Sequence, residues 1–214
     1  MTGDLELLQG WRGGDAAAGN ELVRRHFSAV YRFFCNKVTE GVADLTQATF
    51  LALVESHERM PEHASFRAYL LGVARYKLVH HLRGRYRKDA VFSPARVSVL
   101  DMRADPSSSP TRRVAEGEQR ELLDHALRSL PLDQQITLEL HYWHELTVEE
   151  IAVVLERSPG TIKSRLHRAR AQLKSRIERL SRDPAPLLER LDDELGSLRD
   201  SLAVGDTAGV PPKP

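Results

Sequence analysis

Residues 146–171 limit the possible folds of this chain more than any other segment, because they predict two short amphipathic helices on either side of a tight turn. Thr147 followed by Glu150 is the pattern of a capping box, which starts a helix just before an apolar run. Ser158 suits the N-cap of a second helix, and Pro159 suits its first position, where the missing N–H costs nothing. The sequence therefore predicts two helices at the separation of a helix-turn-helix.

Positive charge is concentrated on the second of these helices. Its predicted buried stripe consists of Ile162, Leu166, Ala169 and Leu173. The cationic and histidine side chains expected to lie largely off that stripe are Lys163, Arg165, His167, Arg168, Arg170, Lys174 and Arg176. In a DNA-binding helix-turn-helix the second helix enters the major groove, with early residues at base edges and later cations on phosphates. An ordinary helical hairpin with a solvated basic face is the alternative, but two capped helices with the cations confined to the second favour DNA binding.

Composition is typical of an all-α chain. The 214 residues are 41% hydrophobic, which suffices for a core, and only 6% aromatic, with no long alternating run that would predict a sheet. The net charge is only +1, yet basic residues gather at 83–88 and 163–182, and such local patches set affinity for nucleic acid. The single cysteine, Cys35, excludes an internal disulfide and a multi-cysteine zinc site. Because no signal peptide or membrane-length apolar segment is evident, we expect a cytoplasmic chain without direct membrane contact.

Helical periodicity is interrupted once over a long stretch. Residues between Asp89 and Glu116 are rich in Ser, Pro and scattered arginines, with neither period nor enough apolar residues to form a core. We therefore predict a helical domain over residues 1–88, a flexible linker over 89–117, a second helical domain over 118–180 and a C-terminal extension over 181–214.

The helix predicted at residues 66–88 mixes cations with aromatic rings. Single-stranded nucleic acid is bound by such surfaces, because rings stack on bases and cations contact the backbone. The residues favoured for this role are Arg75, Tyr76, Lys77 and the basic end at 83–88. Phe66 and Tyr69 are interpreted as core residues. His80 and His81 diverge by about 100° on a helix, so they are interpreted as polar surface or DNA contacts and not as a metal pair.

In this order the segments resemble a bacterial RNA polymerase sigma factor of the extracytoplasmic-function (ECF) group of the sigma-70 family. The likeness is carried by residues 8–15 with 27–34, by 44–51 with 65–83, and by 130–131 through the helix-turn-helix. There, Gly160-Thr-Ile-Lys-Ser-Arg-Leu-His-Arg-Ala-Arg170 is very close to the family pattern. The resemblance implies two small helical domains, region 2 and region 4, which bind core RNA polymerase and direct promoter recognition, melting and initiation. It implies no catalytic residue, cofactor, metal or small-molecule substrate, since the polymerase performs the chemistry.

The resemblance also implies residue roles. The upstream promoter element would be contacted by Ser158, Thr161, Lys163, Ser164, Arg165, His167, Arg168 and Arg170. The downstream element and the melted strand would be held by Arg59, His63, Arg67, Arg75, Tyr76, Lys77, His80, Arg83 and Arg85. The polymerase would be bound through Asp44, Gln47, Phe50 and Leu51. The implied partners are core RNA polymerase and promoter DNA, with an anti-sigma factor as a further candidate.

Two other functions were weighed against this one. A conventional helix-turn-helix regulator that is not a polymerase subunit would need neither the mixed cation–aromatic helix nor the long linker. A zinc hydrolase is suggested by His57-Glu58 and His144-Glu145, but the required second histidines are replaced by Pro61 and Val148. We therefore predict a protein that is not an enzyme.

The C-terminal extension combines a leucine stripe with acidic residues. The leucines, spaced by three and four, are Leu188, Leu191, Leu195, Leu198 and Leu202. The acidic residues between them are Glu189, Asp192, Asp193, Glu194 and Asp200. One interpretation is an amphipathic helix that covers an apolar patch of its own domain. The alternative hypothesis is regulatory: the acidic helix docks near the basic DNA-binding face or on the polymerase.

Overall fold

The computed structural model describes residues 3–61, 65–89 and 117–196, with the side chains at 85–89 and 117–120 left outside that description. The described residues form helices and no strands: α1 (Asp4–Arg12), α2 (Ala16–Cys35), α3 (Val42–Ser56), a 3₁₀ turn (His57–Arg59), α4 (Phe66–Asp89), α5 (Gly117–Arg128), α6 (Leu132–Tyr142), α7 (Val148–Leu155), α8 (Pro159–Leu180) and α9 (Ala185–Glu189). The all-α prediction is confirmed. Among these residues, no helix has the length and apolarity needed to cross a membrane.

Local chemistry explains where the helices begin. The Asp15 side chain accepts hydrogen bonds from the backbone N–H groups of Ala17 and Ala18, as expected of an N-cap at the start of α2. Helix α3 ends at Ser56 and is followed by the 3₁₀ turn. Pro61 disfavours the helical conformation at Met60, which is extended, so the chain leaves the helical conformation there.

One hydrophobic core runs through both halves of the chain. In the first half, α1 to α4 bury residues such as Leu22, Phe34 and Leu78, each fully shielded from solvent. In the second half, α5 to α8 bury residues such as Ile136 and Leu173 within the same cluster. The halves meet where α4 lies against α7, so closely that a Cβ placed on Gly72 would lie 4.0 Å from the Cα of Val154.

A buried ion pair crosses the boundary between the halves. Lys37, which follows α2, contacts Glu139 of α6, and both side chains are fully buried. Lys37 Nζ also donates to the Phe33 carbonyl at 2.8 Å and lies 4.0 Å from the centre of the Phe33 ring. Burial lowers the pKa of Lys37 and raises that of Glu139, while the attraction between the two charges opposes both shifts. Each charge is therefore tolerated in the core because the other is present.

The linker predicted at residues 89–117 falls almost entirely outside the described residues. Residues 62–64 and the end of the extension also lie outside the described residues, including Leu198 and Leu202 of the predicted stripe and the acidic Asp200. Because one core spans both halves, the exact division of the chain into domains at residues 88 and 118 stays a prediction.

Candidate nucleic-acid interface

The helix-turn-helix forms as the capping signals predicted. Thr147 and Glu150 form the reciprocal capping box at the start of α7. The Ser158 side chain accepts from the Thr161 backbone N–H at 3.2 Å, and Pro159 occupies the first position of α8. Between the two helices, Glu156 adopts a left-handed conformation with φ of 52°, which makes the sharp turn. Local hydrogen bonds thus set the angle at which α8 leaves the body of the protein.

Most of the predicted upstream-element residues lie on the outer face of α8. The exposed ones are Ser158, Lys163, Ser164, His167 and Arg168. Thr161 and Arg170 are half-buried, Thr161 because its hydroxyl is 2.9 Å from that of Ser158 at the cap. Arg168 donates to the Ser164 carbonyl within α8, so its guanidinium remains at the surface. These residues form one continuous basic surface that begins at the N-terminus of the helix.

Arg165 departs from its predicted position. The sequence analysis placed it off the buried stripe, but in the structure it is 8% exposed and belongs to the buried face of α8. Its guanidinium lies 3.4 Å from a carboxylate oxygen of Asp133 on α6, which is itself 5% exposed. The placement off the stripe is therefore wrong, because an acidic residue of another helix draws the side chain inward. In this arrangement Arg165 serves the packing of α8 and is not offered to a base edge.

Helix α4 presents only part of its predicted strand-binding surface. Tyr76, His80 and Arg83 are exposed, Tyr76 to 66%, and Lys77 is half-buried. Phe66 is buried, and the partly buried Tyr69 packs against the core and donates its hydroxyl proton to Ser56, as expected of core residues. The described outward surface of α4 therefore centres on one aromatic ring flanked by a few polar side chains.

The two remaining arginines of α4 with described side chains face the second half of the chain. Arg67 donates to the His144 carbonyl at 3.1 Å, across the boundary between the halves. Arg75 is partly buried, and burial lowers the pKa of its guanidinium, while the nearby carboxylates of Asp133 and Glu156 offset part of that shift. Both side chains were predicted to contact the melted strand. No pattern within α4 predicts that they would instead lie against the second half of the chain.

The other predicted residues of the downstream site are described less fully. Arg59 is exposed at the end of the 3₁₀ turn, where it donates to the Glu55 carbonyl at 3.4 Å. His63 lies outside the described residues, and for Arg85 only the helical backbone is described. Within the described ranges, no group of His, Cys, Asp and Glu is arranged to hold a metal ion.

The predicted polymerase-binding residues follow one side of α3. Asp44, Gln47 and Leu51 are exposed, and Leu51 reaches 58%. Phe50 instead is 8% exposed and stacks on Phe27 of α2 with ring centres 6.0 Å apart. Phe50 therefore supports this surface from beneath and contributes little area to it.

Sequence reasoning missed two members of the same surface. Val54 continues the outward row at the helical spacing of Gln47 and Leu51, and it is 49% exposed. Phe27 is 46% exposed beside Phe50, although its position in an apolar run suggested the core. The spacing along α3 was a usable signal for Val54, whereas nothing in the sequence distinguished Phe27 from its buried neighbours.

The C-terminal extension docks on the second half of the chain. We call residues 183–196 the tail segment; it comprises α9 and a further helical stretch at 191–196. Leu187, Leu191 and Leu195 are each at most 3% exposed, and the Trp143 indole N–H donates to the Leu195 carbonyl at 2.8 Å. The interpretation of an amphipathic helix covering an apolar patch is confirmed for these residues, with Leu187 more deeply buried than the predicted Leu188.

Comparison with known proteins agrees with this geometry. The family profile for Sigma-70 region 2 matches residues 22–88, and that for Sigma-70 region 4 matches residues 120–173. The RNA polymerase sigma factor CarQ of Myxococcus xanthus is 30% identical over 163 residues, covering 75% of this chain and 90% of CarQ. The ECF RNA polymerase sigma factor SigM of Bacillus subtilis is 28% identical over 154 residues, covering 71% of this chain and 90% of SigM.

Solved structures share the fold. CnrH in complex with the cytosolic domain of CnrY aligns with a TM-score of 0.58 and 23% identity, over 83% of this chain and 99% of that one. The sigma factor RpoE of Bartonella quintana, in complex with the anti-sigma factor NepR, aligns with a TM-score of 0.56 and 22% identity, over 74% and 96% of the two chains.

The capped helix-turn-helix, the helical first half and these matches define the class: the chain belongs to the sigma-70 family of RNA polymerase sigma factors, within its ECF group. As a sigma factor it binds core RNA polymerase and promoter DNA and directs transcription initiation, a role in which the family itself is non-catalytic. The conventional regulator weighed above is disfavoured, because the region 2 match covers the very helices that such a regulator would not need.

Proposed function

We propose that the outer face of α8 reads the upstream promoter element and that α4, with Tyr76 at its centre, holds the downstream element. The observation that carries the proposal is the continuous basic surface of α8, exposed from the helix N-terminus through His167 and Arg168. Helix N-termini and exposed cations are the groups that engage base edges and phosphates in this motif. Arg165 is withdrawn from the base-reading set, since Asp133 holds it inside the protein.

We further propose that the outward row on α3, with Phe27 beside it, is the polymerase-binding surface. An apolar row bordered by Asp44 and Gln47 is typical of a protein interface, where apolar contact gives affinity and the polar rim gives orientation. Such binding would take place in the cytoplasm, where the polymerase transcribes. An anti-sigma factor is proposed as a second protein partner, in analogy with the Bartonella quintana protein bound to NepR.

Run-off transcription with core polymerase tests this assignment. On a template library the full-length protein should select a defined set of promoters, and Lys163→Ala should change or weaken selection at upstream positions. Loss of a good contact to a base costs about 1–3 kcal/mol of discrimination. A Leu51→Asp variant should instead abolish initiation at every promoter, because it damages the surface shared by all of them. If Lys163→Ala and wild type select promoters identically, α8 does not read the element as proposed.

The described arrangement is proposed to be a resting form that opens on promoter engagement. Arg67 and Arg75 are both partly buried against the second half of the chain, which restricts their access to a DNA strand. A Cβ placed on Gly72 would lie 4.0 Å from the Cα of Val154, which makes this pair a candidate for a disulfide, whose Cβ atoms lie about 3.5–4.5 Å apart. A Gly72→Cys/Val154→Cys variant in a Cys35→Ala background should close under oxidised glutathione and lose promoter-dependent transcription.

The outcome of this cross-linking experiment is unambiguous with matched controls. Each single-cysteine variant receives the same oxidant, and non-reducing electrophoresis measures the cross-linked fraction. Transcription should fall in proportion to that fraction and recover with dithiothreitol. Full activity of cross-linked protein would show that α4 works without leaving α7.

A further inference from the structure

The tail segment carries its charge on the side away from its buried leucines. Leu187, Leu191 and Leu195 anchor it to the second half of the chain, which leaves the acidic side chains at the rim. One groove is lined by three acidic residues of the tail segment and by three basic or histidine side chains of α8. The acidic residues are Glu189, Asp192 and Asp193, and the α8 residues are His167, Arg170 and Lys174. Arg190 of the tail segment also lines the groove and lies 4.0 Å from Glu194, so the tail segment contributes more negative than positive charge there.

The closest of these contacts runs through Tyr142 of α6. The Arg170 Nε–H donates to the Tyr142 hydroxyl oxygen at 2.6 Å, and the guanidinium carbon lies 5.3 Å from the centre of the tyrosine ring. Tyr142 in turn donates its hydroxyl proton to Asp192, whose carboxylate is also 3.8 Å from Arg170. Burial, followed by the Asp192 hydrogen bond, raises the pKa of Tyr142 to about 12. The hydroxyl therefore stays protonated at neutral pH and bridges the arginine to the tail segment.

The three α8 residues in this groove continue the proposed DNA-binding surface. His167, Arg170 and Lys174 follow Lys163 at steps of four, three and four residues, so they share one side of α8. In a helix-turn-helix the residues that follow the base-contacting turn lie beside the phosphates. The acidic side chains of the tail segment are thus placed where phosphates would approach.

We propose that the tail segment is a competitor in cis for the phosphate contacts of α8, with Asp192 and Asp193 standing in for DNA phosphates. This inference rests on the proposed function of α8 and adds a regulatory element to it. In the free protein the Asp192 carboxylate lies 3.8 Å from Arg170, and Lys174 lines the same groove. Duplex DNA must displace these carboxylates to reach the two cations. The buried leucines keep the tail segment in place. The competition between its carboxylates and the DNA phosphates is therefore intramolecular, and we expect it to depend on ionic strength and to require no second protein.

A charge-neutral variant tests the proposal better than a truncation, because removing the segment would expose the apolar patch under its leucines. Asp192→Asn/Asp193→Asn preserves side-chain size and the buried anchor. The matched control Glu40→Gln/Glu55→Gln removes the same charge from exposed positions in and before α3. Duplex binding of the full-length proteins is measured by fluorescence anisotropy over a series of KCl concentrations, with Lys163→Ala as a further variant.

The tail variant should bind duplex DNA about threefold to tenfold more tightly at low salt, the range expected for loss of the Asp192–Arg170 pair and of a second carboxylate in the same groove. Its plot of log K against log [KCl] should be steeper by about one unit, since a further cation becomes available to a phosphate. The control should change affinity by less than about twofold, because neither of its residues lines the groove beside α8. Identical binding by tail variant and control would overturn the proposed competition while leaving the role of α8 intact. If Lys163→Ala binds as wild type does, the role of α8 fails, and the competition fails with it.

Discussion

Helices α4 and α8 are both long and both rich in cations, yet they offer that charge to solvent very differently. On α8 the exposed cations Lys163 and Arg168 lie on the outer face, and among the described residues the tail segment and Tyr142 contact the later part of the helix. Among the described side chains of α4, Arg67 and Arg75 lie against the second half of the chain, and Arg83 is exposed with Tyr76 and His80. The number of cations on a helix therefore does not by itself identify a nucleic-acid surface, because the carboxylates and carbonyls of neighbouring helices decide which cations remain exposed.

The largest effect is expected at the buried ion pair that joins the two halves. Lys37→Met leaves Glu139 as an unpaired buried charge and should lower the free energy of unfolding by about 3–5 kcal/mol. Urea denaturation followed by circular dichroism measures the loss. Hydrogen exchange should rise more in α4 than in α8, because the pair helps to hold the second half against α4.

The matched control for that prediction is Lys37→Met/Glu139→Leu. Replacing both charges with apolar groups of similar size removes the unpaired carboxylate and should restore most of the lost stability. A double variant as unstable as the single one would show that the hydrogen bonds of Lys37 to the Phe33 carbonyl matter more than charge pairing.

A smaller effect should separate Arg165 from its exposed neighbour Arg168 on α8. Arg165→Ala removes the partner of the buried Asp133 carboxylate and should cost about 1–3 kcal/mol of stability. Arg168→Ala, at the surface, should change stability by less than about 0.5 kcal/mol. Thermal denaturation compares the two. Equal stability of both variants would mean that Arg165 is free to leave Asp133 and read DNA after all.

The contrast between the helices also predicts different salt dependence of duplex binding. For the protein without polymerase, Arg168→Ala should flatten the plot of the logarithm of the duplex-binding constant against log [KCl] by about one unit, because one phosphate contact is lost. Arg75→Ala should leave the slope unchanged, because its guanidinium is partly buried and the carboxylates of Asp133 and Glu156 already offset its charge. A flatter slope for Arg75→Ala would show that α4 already offers its cations to DNA.

The smallest effect concerns the N-terminal end of α4, where the His26 ring lies 5.1 Å from that of Phe66. Burial lowers the pKa of His26 from its usual 6.5, and the Asp4 carboxylate, 2.6 Å away, offsets only part of that shift. The unfolded chain therefore takes up the proton more readily, so the contribution to stability is complete above pH 6.5 and is lost as the pH falls below it.

Denaturant titrations at neutral and at mildly acidic pH measure this loss. His26→Phe keeps an apolar ring beside Phe66 and should show a weaker decline in stability below pH 6.5 than wild type. A decline as steep in the variant as in wild type would assign it to other groups.

Sequence reasoning succeeded where the interactions are local. The capping box of Thr147 with Glu150, the N-cap at Ser158 and the separation of α7 from α8 all depend on residues within a few positions of one another. The same holds for the leucine spacing in the tail segment, which predicted the face that the structure buries, apart from a shift from Leu188 to Leu187. Spacing along one helix is readable without knowing the neighbours of that helix.

Predictions of side-chain burial failed where the residue that contacts the side chain is distant in sequence. Arg165 lies three residues after Ile162 and four before Ala169, so helical spacing places it beside the buried stripe, and the partner that compensates its charge there is Asp133 of α6. Phe27 stacks on Phe50 of α3 and on Tyr31 and is still 46% exposed. Neither the Asp133 partner nor the exposure of Phe27 can be read from spacing within one helix.

Short-range patterns along the chain were enough to predict the helices, their caps, the helix-turn-helix and the resemblance to the sigma-70 family. Which charges remain exposed depends on the folded arrangement, since pairs such as Lys37 with Glu139 join residues far apart in the chain. The reason is physical: a cation is withdrawn from solvent only where an opposite charge or a carbonyl compensates its desolvation, and such partners are brought together by folding alone.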